Sequence, residues 1–400
     1  MNNKEIWIIS HFAGSPAHGM VYRPYYLGKN FSQLNETTRI FASSFSHVRN
    51  LNPNVEGFFS EELIDGIIYT WIRNIKYYPS NKILRFSSLA LFCISLLILP
   101  IWKFEKPKVI VVSSPSIFPI FNGWLWSKIF RCKLIFEVRD LWPESLIQLG
   151  NIKRTHPVVI LIKLMERFAY KVCDICIAVM PTAHDYFSAE GLNLKKLNII
   201  PNGTEDSELI SSELSIELPE GFIVGFAGAV GNANNLDLMI DTAKQIEDNS
   251  VQFVIVGHGE EKSRLKEKAR ILNLKNIHFY DSIPKSEIPA LLNQFDLCFI
   301  SLKYTQLFDY GVSPNKLFDY MLARKPIVYC INSGNSPVLD ARCGVEVREN
   351  SPKLVSKAIL NLKNEGIDKL RELGNNGYDY VIKFHSYDSL SRDYLEKINE

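Results

Sequence analysis

Residues 221–259, GFIVGFAGAVGNANNLDLMIDTAKQIEDNSVQFVIVGHG, decide the fold. Two apolar runs, at 221–228 and 251–259, flank a segment in which apolar residues recur at helical spacing. Strands this apolar are buried on both faces, as in a parallel sheet that is covered by helices. The stretch therefore predicts a β-α-β unit, from which doubly wound α/β sheets are built.

The alternation of strand and helix continues along the chain. Strands are predicted at 5–10, 39–42, 108–114, 133–140, 174–180, 197–203, 221–228, 251–259, 277–282, 297–302 and 326–331. The series restarts after an acidic, Ser-rich stretch at 206–219. We therefore predict two Rossmann-like domains, residues 1–203 and 204–383, with a C-terminal helix at 384–400 that packs back on the first.

Length and charge agree with this division. Four hundred residues exceed what one hydrophobic core usually serves. The hydrophobic content of 46% indicates a globular chain, and a net charge of +2 gives no reason to expect a nucleic-acid partner. Residues 1–200 carry 23 basic and 14 acidic side chains, whereas residues 201–400 carry 22 and 29. A basic half joined to an acidic half suggests two domains with different partners.

The seven cysteines are predicted to be reduced and structural, since their number is odd and most lie in apolar runs. Cys173 and Cys176 have C-x-x-C spacing, but no second pair completes a zinc site, so we predict no metal. The N-terminal MNNKEIWIISHF lacks the basic region of a signal peptide, and we expect a cytoplasmic location.

The uncharged run FSSLALFCISLLILPIW, at 86–102, allows three interpretations. Its 17 residues would span about 26 Å as a helix, against about 30 Å for a hydrocarbon core. It is expected to be a crossover helix of the α/β domain. A helix that lies in the membrane interface and a true membrane span are the alternatives.

The segment FDYGVSPNKLFDYMLARKPI, at 308–327, is the most informative for function. Ser313 is expected to cap a helix that begins at Pro314, and its unpaired N–H groups would suit a phosphate. Lys316 adds a full positive charge there, and Asp319 lies on the same face, where a carboxylate could bind a ribose. An ordinary surface helix with an Asp–Lys pair explains the same spacing.

The run SPNKLFDYM, with PNG at 201–203 and EVRDLWPES at 137–145, resembles the family 4 glycosyltransferases. More narrowly it resembles the bacterial WbuB-like branch that builds O-antigen and capsule repeats, as does the opening HFAGSPAHGMVYRPYYLGKNF. The resemblance covers about residues 5–395. It implies the GT-B fold, two Rossmann-like domains facing a cleft. It also implies a retaining, metal-independent transfer of sugar from a nucleotide-sugar, usually UDP-linked, to a lipid-linked acceptor, without a cofactor.

The resemblance also implies roles for individual residues around the donor. Asp319 matches the second Glu of the family's E-x7-E motif, which holds the ribose, whereas the first Glu falls on Gly311. The diphosphate and sugar would be bound by Ser313, Pro314, Asn315 and Lys316, with Lys316 stabilising the leaving group. The loop after the strand at 221–228 offers Gly228 and either Asn234 or Asn235. His258 lies in a loop near the nucleotide, and the base would be contacted by Ser282, Ile283 and Pro284.

In the first domain the resemblance places a small-residue loop over the donor phosphates and the acceptor. This loop contains Gly14, Ser15 and Gly19, and Arg23 follows it. We assign Asp140, at the end of the strand 133–140, as a polar contact to the acceptor or sugar. Helix capping is the alternative for Asp140, and core packing is preferred for Trp142.

These observations predict a bacterial surface-polysaccharide glycosyltransferase, acting peripherally at the inner face of the cell membrane. The basic first half agrees with an acceptor that carries phosphate at an anionic membrane. A sugar-nucleotide epimerase or hydrolase, and a non-catalytic sugar-nucleotide-binding partner, are the alternatives. A nicotinamide-dependent oxidoreductase is disfavoured, since the first loop lacks the G-x-G-x-x-G fingerprint.

Overall fold

The computed structural model describes residues 4–78, 80–205 and 213–400, which form two α/β units. The first unit comprises residues 1–201 and 390–400, and the second comprises residues 202–389. Residues 206–212 of the predicted linker lie outside the described residues.

The first unit is built on an eight-stranded sheet in the order β3-β4-β2-β1-β5-β6-β7-β8. The strands are β1 Glu5–Ile9, β2 Thr38–Ser43, β3 Phe59–Ile64, β4 Ile67–Ile72, β5 Pro107–Ser113, β6 Lys133–Val138, β7 Ile175–Ala178 and β8 Leu197–Ile199. Its helices are α1 Arg23–Gln33, α2 Lys82–Ile98, α3 Ile120–Phe130, α4 Glu144–Gln148, α5 Pro157–Val172 and α6 His184–Ala189. Every strand pair except β3–β4 is parallel.

The antiparallel β3–β4 hairpin was not predicted from the sequence. Its turn consists of Asp65 and Gly66, whose φ angles are 48° and 82°. Two successive positive φ values are those of the type I′ turn that Asp-Gly favours. The hairpin therefore adds an antiparallel strand to one edge of an otherwise parallel sheet.

The second unit is a six-stranded parallel sheet in the order β11-β10-β9-β12-β13-β14. The strands are β9 Phe222–Ala227, β10 Val251–Val256, β11 Ile277–Tyr280, β12 Leu297–Ser301, β13 Ile327–Cys330 and β14 Gly344–Glu346. The helices are α7 Asp237–Gln245, α8 Lys262–Ile271, α9 Ile288–Asn293, α10 Asn315–Leu322, α11 Pro337–Ala341, α12 Pro352–Glu365 and α13 Ile367–His385. Numbered within the unit, the order is 3-2-1-4-5-6, that of a dinucleotide-binding sheet.

The chain ends in α14, Tyr387–Asn399, and from residue 390 it belongs to the first unit. Tyr394 is buried there, with its ring centroid 5.7 Å from that of Phe31. Lys133 Nζ donates to the carbonyl of Ile398 at 3.2 Å. This segment thus completes the core of the first unit.

The predicted α/β class with two Rossmann-like sheets is confirmed. All seven cysteines are free, five of them buried and two half-buried. The uncharged run at 86–102 forms α2, which connects β4 to β5. Among the helices that the structure describes, none has both the length and the hydropathy that crossing a bilayer requires.

Arg23 begins α1, but the structure gives it a different role from the predicted phosphate or acceptor contact. The side chain is buried, and its Nε donates to Glu137 Oε1 at 3.0 Å. Its terminal nitrogens donate to the carbonyls of Ile200 and Pro201 at 2.9 and 2.6 Å. Arg23, with Ser113 Oγ on the other oxygen, holds the pKa of the Glu137 carboxyl below its usual range despite burial. Arg23 therefore stabilises the interior of the first unit, because its guanidinium is already engaged there.

We expect Arg23→Met to destabilise the first unit by about 3–5 kcal/mol, because it leaves a buried carboxylate without its cation. All six tryptophans lie in the first 201 residues, so tryptophan fluorescence during urea unfolding reports this unit.

Glu137→Gln provides the matched partner of a double-mutant cycle. Introduced on the Arg23→Met background, it should restore part of the loss, because the unpaired buried charge is removed. Strictly additive effects of the two substitutions would contradict the assignment of a coupled ion pair.

Candidate functional site

The candidate site lies in the second unit, where the strand order reverses. β9 and β12 are neighbours in the sheet. The strands that follow β9 are added on one side of this pair, and the strands that follow β12 are added on the other. Ligands of such sheets bind at the carboxyl ends of the strands at this switch point. Two hydrogen bonds hold the loop after β9 beside the end of β12, from Ser301 Oγ to the carbonyl of Asn234 and from the N–H of Lys303 to the carbonyl of Ala233, at 2.6 and 2.9 Å.

Glycines let the loops after β9 and β10 pack backbone against backbone. A Cβ on Gly257 would lie 1.9 Å from the carbonyl oxygen of Gly228, and one on Gly259 would lie 2.2 Å from that of Val230. The N–H of Val230 donates to the carbonyl of His258 at 2.9 Å. Because any side chain at 257 or 259 would push the loops apart, these glycines set the shape of the site.

The predicted N-cap of α10 is wrong by one residue. Pro314 occupies the cap position and α10 begins at Asn315. Ser313 Oγ does not cap the helix, because it accepts a hydrogen bond from the N–H of Asn202 at 2.9 Å. In the described chain the N–H groups of Asn315 and Lys316 have no hydrogen-bond acceptor, so the start of α10 retains the donors that an anion would use.

The PNG loop at 201–203 fixes the position of α10. Asn202 Nδ2 donates to the carbonyl of Ser313 at 2.9 Å, and Thr204 Oγ1 donates to Asp319 Oδ1 at 3.1 Å. His385, at the end of α13, bonds to the carbonyl of Asn202 through Nδ1 at 3.0 Å and stacks on Phe318. Burial lowers the pKa of His385 to about 4, so the ring is neutral at physiological pH.

Lys316 is the charged centre of the site. Its Nζ donates to Asn234 Oδ1 at 2.9 Å and lies 4.0 Å from the ring centroid of Phe226. Gly228, with φ of 146°, has no side chain to block this approach, since a Cβ there would lie 3.0 Å from Nζ. Burial lowers the pKa of Lys316 to about 7, although the charge of Asp319 opposes the shift. An anion bound here would favour the charged amine.

The structure distinguishes between Asn234 and Asn235. Asn234 binds Lys316 through Oδ1, and its Nδ2 donates to the carbonyl of Ala229 at 2.9 Å. Asn235, in the left-handed conformation at φ 47°, directs its Nδ2 to Asn350 Oδ1 at 3.0 Å. Asn234 therefore belongs to the site, whereas the side chain of Asn235 is directed elsewhere.

Gly311 is the position that the resemblance pairs with the first Glu of the E-x7-E motif, and its backbone conformation favours glycine. Its φ of 91° follows the short 3₁₀ turn Gln306–Tyr310. Side chains are disfavoured at such φ values, so a carboxylate would be strained there.

The remaining residues predicted to bind the donor lie in loops after β10 and β11, at the same edge of the sheet. His258 is exposed, and its contribution to the loop is its backbone carbonyl. The segment after β11 contains Ser282, Ile283 and Pro284, of which only Ile283 is half-buried. The N–H of Gly257 donates to the carbonyl of Tyr280 at 3.2 Å, so this segment starts beside the loop after β10. The role of the segment in binding a base stays a prediction.

In the first unit, the loop after β1 is folded on itself. A Cβ on Gly14 would lie 1.9 Å from the carbonyl oxygen of Gly19, which has φ of 98°. Ser15 Oγ and His18 Nδ1 are hydrogen-bonded at 2.9 Å. This loop follows the central strand β1 at the carboxyl edge of the sheet, which is a ligand-binding position in such folds.

Asp140 lies two residues beyond β6 and does not cap α4, whose cap position is Pro143. Its side chain is exposed, yet crowding by surrounding protein raises the pKa of the carboxyl, against the opposing charge of Arg139. Trp142 is half-buried, and its indole Nε1 has no hydrogen-bond partner among the described residues. Core packing alone therefore leaves the indole N–H of Trp142 without a hydrogen-bond acceptor among the described residues.

The structure thus brings together Gly228, Asn234, Lys316 and the start of α10, as the sequence analysis predicted. Three contributors were missed, Phe226 beneath the amine and Asn202 and Thr204 beside α10. The PNG motif was the available signal for Asn202, and Thr204 follows that motif directly. Within residues 4–78, 80–205 and 213–400, no group of three His, Cys, Asp or Glu could hold a metal ion.

Comparison with known protein families gives a match over residues 221–365, to the family "Glycosyl transferases group 1". A curated relative, the putative colanic acid biosynthesis glycosyl transferase WcaI of Escherichia coli, is 23% identical over 223 residues, which are 53% of this chain and 54% of the relative. The chain spans about half the length of the curated relatives it matches.

Solved structures match over nearly the whole chain. Sucrose-phosphate synthase from Thermosynechococcus elongatus has a TM-score of 0.73 at 16% identity, with 98% of each chain covered. Anabaena HepE in complex with UDP and glucose has a TM-score of 0.67 at 14% identity, covering 99% of this chain and 100% of the other. These similarities establish the GT-B fold.

We expect Lys316→Met to raise the unfolding temperature of the ligand-free second unit more at pH 6 than at pH 9.5. The buried charged amine destabilises the fold fully below about pH 7, and this effect fades as pH rises toward the ordinary lysine pKa of 10.5. Calorimetry measures both transitions, and the one without a tryptophan signal belongs to the second unit.

Lys244→Met is the matched control, because Lys244 is an exposed lysine on α7 of the same unit. It should leave the unfolding temperature nearly unchanged at both pH values. If Lys316→Met instead lowers the unfolding temperature at pH 6, burial of the charged amine does not destabilise the fold.

Proposed function

We propose that the protein transfers a sugar from a nucleotide-sugar to a lipid-linked saccharide acceptor, since residues 221–365 match the family "Glycosyl transferases group 1". The observation that carries the proposal is the buried amine of Lys316 beside the unpaired N–H groups of α10, at the switch point of the second sheet. We place the reaction in bacterial surface-polysaccharide synthesis, at the inner face of the cell membrane.

The leaving group would be a nucleoside diphosphate, which gains negative charge as the bond to the sugar breaks. Lys316 would meet that charge on the β-phosphate, together with the N–H groups of Asn315 and Lys316. Donors fixed in place before the reaction stabilise such charge without reorganisation. Since the chain itself would supply this positive charge, we propose a transfer without a metal ion. Retention of anomeric configuration is proposed from the resemblance to the family 4 glycosyltransferases.

Binding of the diphosphate would place phosphate oxygens beside an amine that burial has already deprived of much of its water. The pKa of about 7 means that Lys316 is only partly charged before donor binding. A bound diphosphate would raise that pKa again, since opposite charges favour the protonated amine. Donor binding would therefore take up a proton above neutral pH.

Asp319 would bind the ribose, three residues and just under one helical turn beyond Lys316. Thr204 Oγ1 already donates to Asp319 Oδ1 and orients the carboxylate. The base would contact the backbone of Ser282, Ile283 and Pro284. UDP is the proposed nucleotide, and the similar HepE structure contains UDP and glucose.

The acceptor side is assigned to the first unit. Gly14, Ser15 and Gly19 form the loop at the end of its central strand, and Asp140 offers an exposed carboxyl with a raised pKa. We propose that Asp140 contacts an acceptor or sugar hydroxyl. The lipid-linked nature of the acceptor is proposed from the resemblance to the family 4 glycosyltransferases alone.

A panel of UDP- and GDP-linked sugars, each tested by thermal shift and then incubated with the full chain, tests the function. The proper donor should raise the unfolding temperature, because it binds only the folded state. Turnover should require an added lipid-linked saccharide. Conversion of the donor alone would identify an epimerase or hydrolase, and binding without turnover on any acceptor would identify a non-catalytic partner.

We expect Lys316→Ala to lower turnover by roughly 10²–10³-fold with the fold intact, since one charge-stabilising donor is lost. Release of nucleoside diphosphate is the measurement. Lys325→Ala is the matched control, a half-buried lysine at the other end of α10 that donates to the carbonyl of Asn293. Turnover near the wild-type rate in Lys316→Ala would remove the central element of the mechanism.

A further inference from the structure

Helix α2 exposes large apolar side chains, unlike an ordinary crossover helix. Ile83, Ile94 and Ile98 are exposed by 79%, 55% and 65%. Its buried positions are Phe92, Leu96 and two serines, Ser88 and Ser95. A helix that covers a sheet in water normally exposes polar residues on its other face. Here one set of apolar side chains is buried and a second set is directed outward.

The outward residues form a continuous stripe along the helix. The stripe, which we call the α2 stripe, consists of Ile83, Phe86, Ala90, Ile94, Leu97 and Ile98. Spacings of three and four residues place these side chains on one face. The helix is 17 residues long and would extend about 26 Å along a surface. The half-buried Ser87 is the one polar side chain on this face between Ile83 and Ile98.

The charge around the stripe has one sign. Residues 66–104 contain five basic residues and no acidic residue. The five are Arg73, Lys76, Lys82, Arg85 and Lys103, and all are exposed. In the described chain none of them is paired with a carboxylate. Unpaired cations within and on both sides of α2 in the sequence match a surface of anionic headgroups.

Trp102 lies just beyond the end of α2 and is 77% exposed. An indole with an apolar body and a polar N–H is favoured at the level of lipid headgroups. The neighbouring helices extend the apolar surface, with Phe121 and Ile129 on α3 and Leu164 on α5 exposed by 44%, 56% and 59%. The ring of Phe121 lies 6.3 Å from that of Phe168 on α5, so these helices share one face of the sheet.

We propose that α2 lies in the plane of an anionic bilayer interface, with the α2 stripe inserted below the headgroups and the five cations on phosphates. A protein partner would account for an apolar stripe, but not for a surrounding segment without a single acidic residue. The inference deepens the proposed function and rests on it for its meaning, because this surface would bring the first unit to the membrane that carries the acceptor.

The test is co-sedimentation of the full chain with phosphatidylcholine vesicles, with and without phosphatidylglycerol. The wild type should bind the vesicles that contain phosphatidylglycerol, and binding should weaken as salt rises. Ile94→Glu/Leu97→Glu should lower partitioning about tenfold or more, since two apolar side chains no longer insert. Lys82→Glu/Arg85→Glu should remove the preference for anionic vesicles.

Leu63→Glu is the matched control, because Leu63 is a 73% exposed leucine on β3, away from the α2 stripe. It should bind vesicles as the wild type does. An equal loss in this control, or no vesicle binding by the wild type, would overturn the proposal. A dimer that Ile94→Glu/Leu97→Glu converts to monomer, without vesicle binding, would assign the stripe to a second copy of the chain.

Thermal shift with the donor identified from the nucleotide-sugar panel separates this proposal from the proposed function. The stripe variants should retain the donor-induced shift, because the donor site lies in the second unit. Tryptophan fluorescence in urea checks that the first unit remains folded. If the protein binds vesicles but no nucleotide-sugar raises its unfolding temperature, the proposed membrane-binding surface is supported and the proposed transferase activity is contradicted.

Discussion

The hydrogen bond from Lys316 to Asn234 joins the two segments on which the second unit's chemistry depends. It links the loop after β9 to the first turn of α10, at the point where the strand order reverses. The link is possible because Gly228 leaves room for the amine and Phe226 supports it from below. A positive charge held in this way has lost much of its water, and an anion would replace what was lost.

The architecture was largely predictable because buried parallel strands are nearly continuous apolar runs. All eleven predicted strands correspond to observed ones, with ends that differ by a few residues. The β3–β4 hairpin was missed because its first strand alternates half-buried and exposed residues and has no apolar run. Asp65-Gly66, a turn dipeptide between two short strands, was the signal that could have revealed it.

Side-chain directions were less predictable, because they depend on distant partners. Ser313 has the residue type and spacing of a helix cap. Its hydroxyl instead accepts a hydrogen bond from the N–H of Asn202, which lies 111 positions away in the sequence. Arg23 follows a small-residue loop, where a contact to phosphate or acceptor was expected. Its guanidinium instead pairs with Glu137 on β6. Hydropathy identified α2 as an apolar helix, but it could not show that Ser88 and Ser95 would be buried while isoleucines of the same helix are exposed.

The return of α14 to the first unit makes the second unit an insertion within it. The polypeptide crosses between the units twice, after residues 201 and 389, and Tyr394 is buried beside Phe31 only because of the second crossing. A gene fragment that ends at residue 201 would lack Tyr394 and leave its place beside Phe31 unfilled. Exchange of the second unit between homologous genes therefore requires two recombination joints. Fusion of two ancestral genes end to end would not explain why the terminal helix belongs to the first unit.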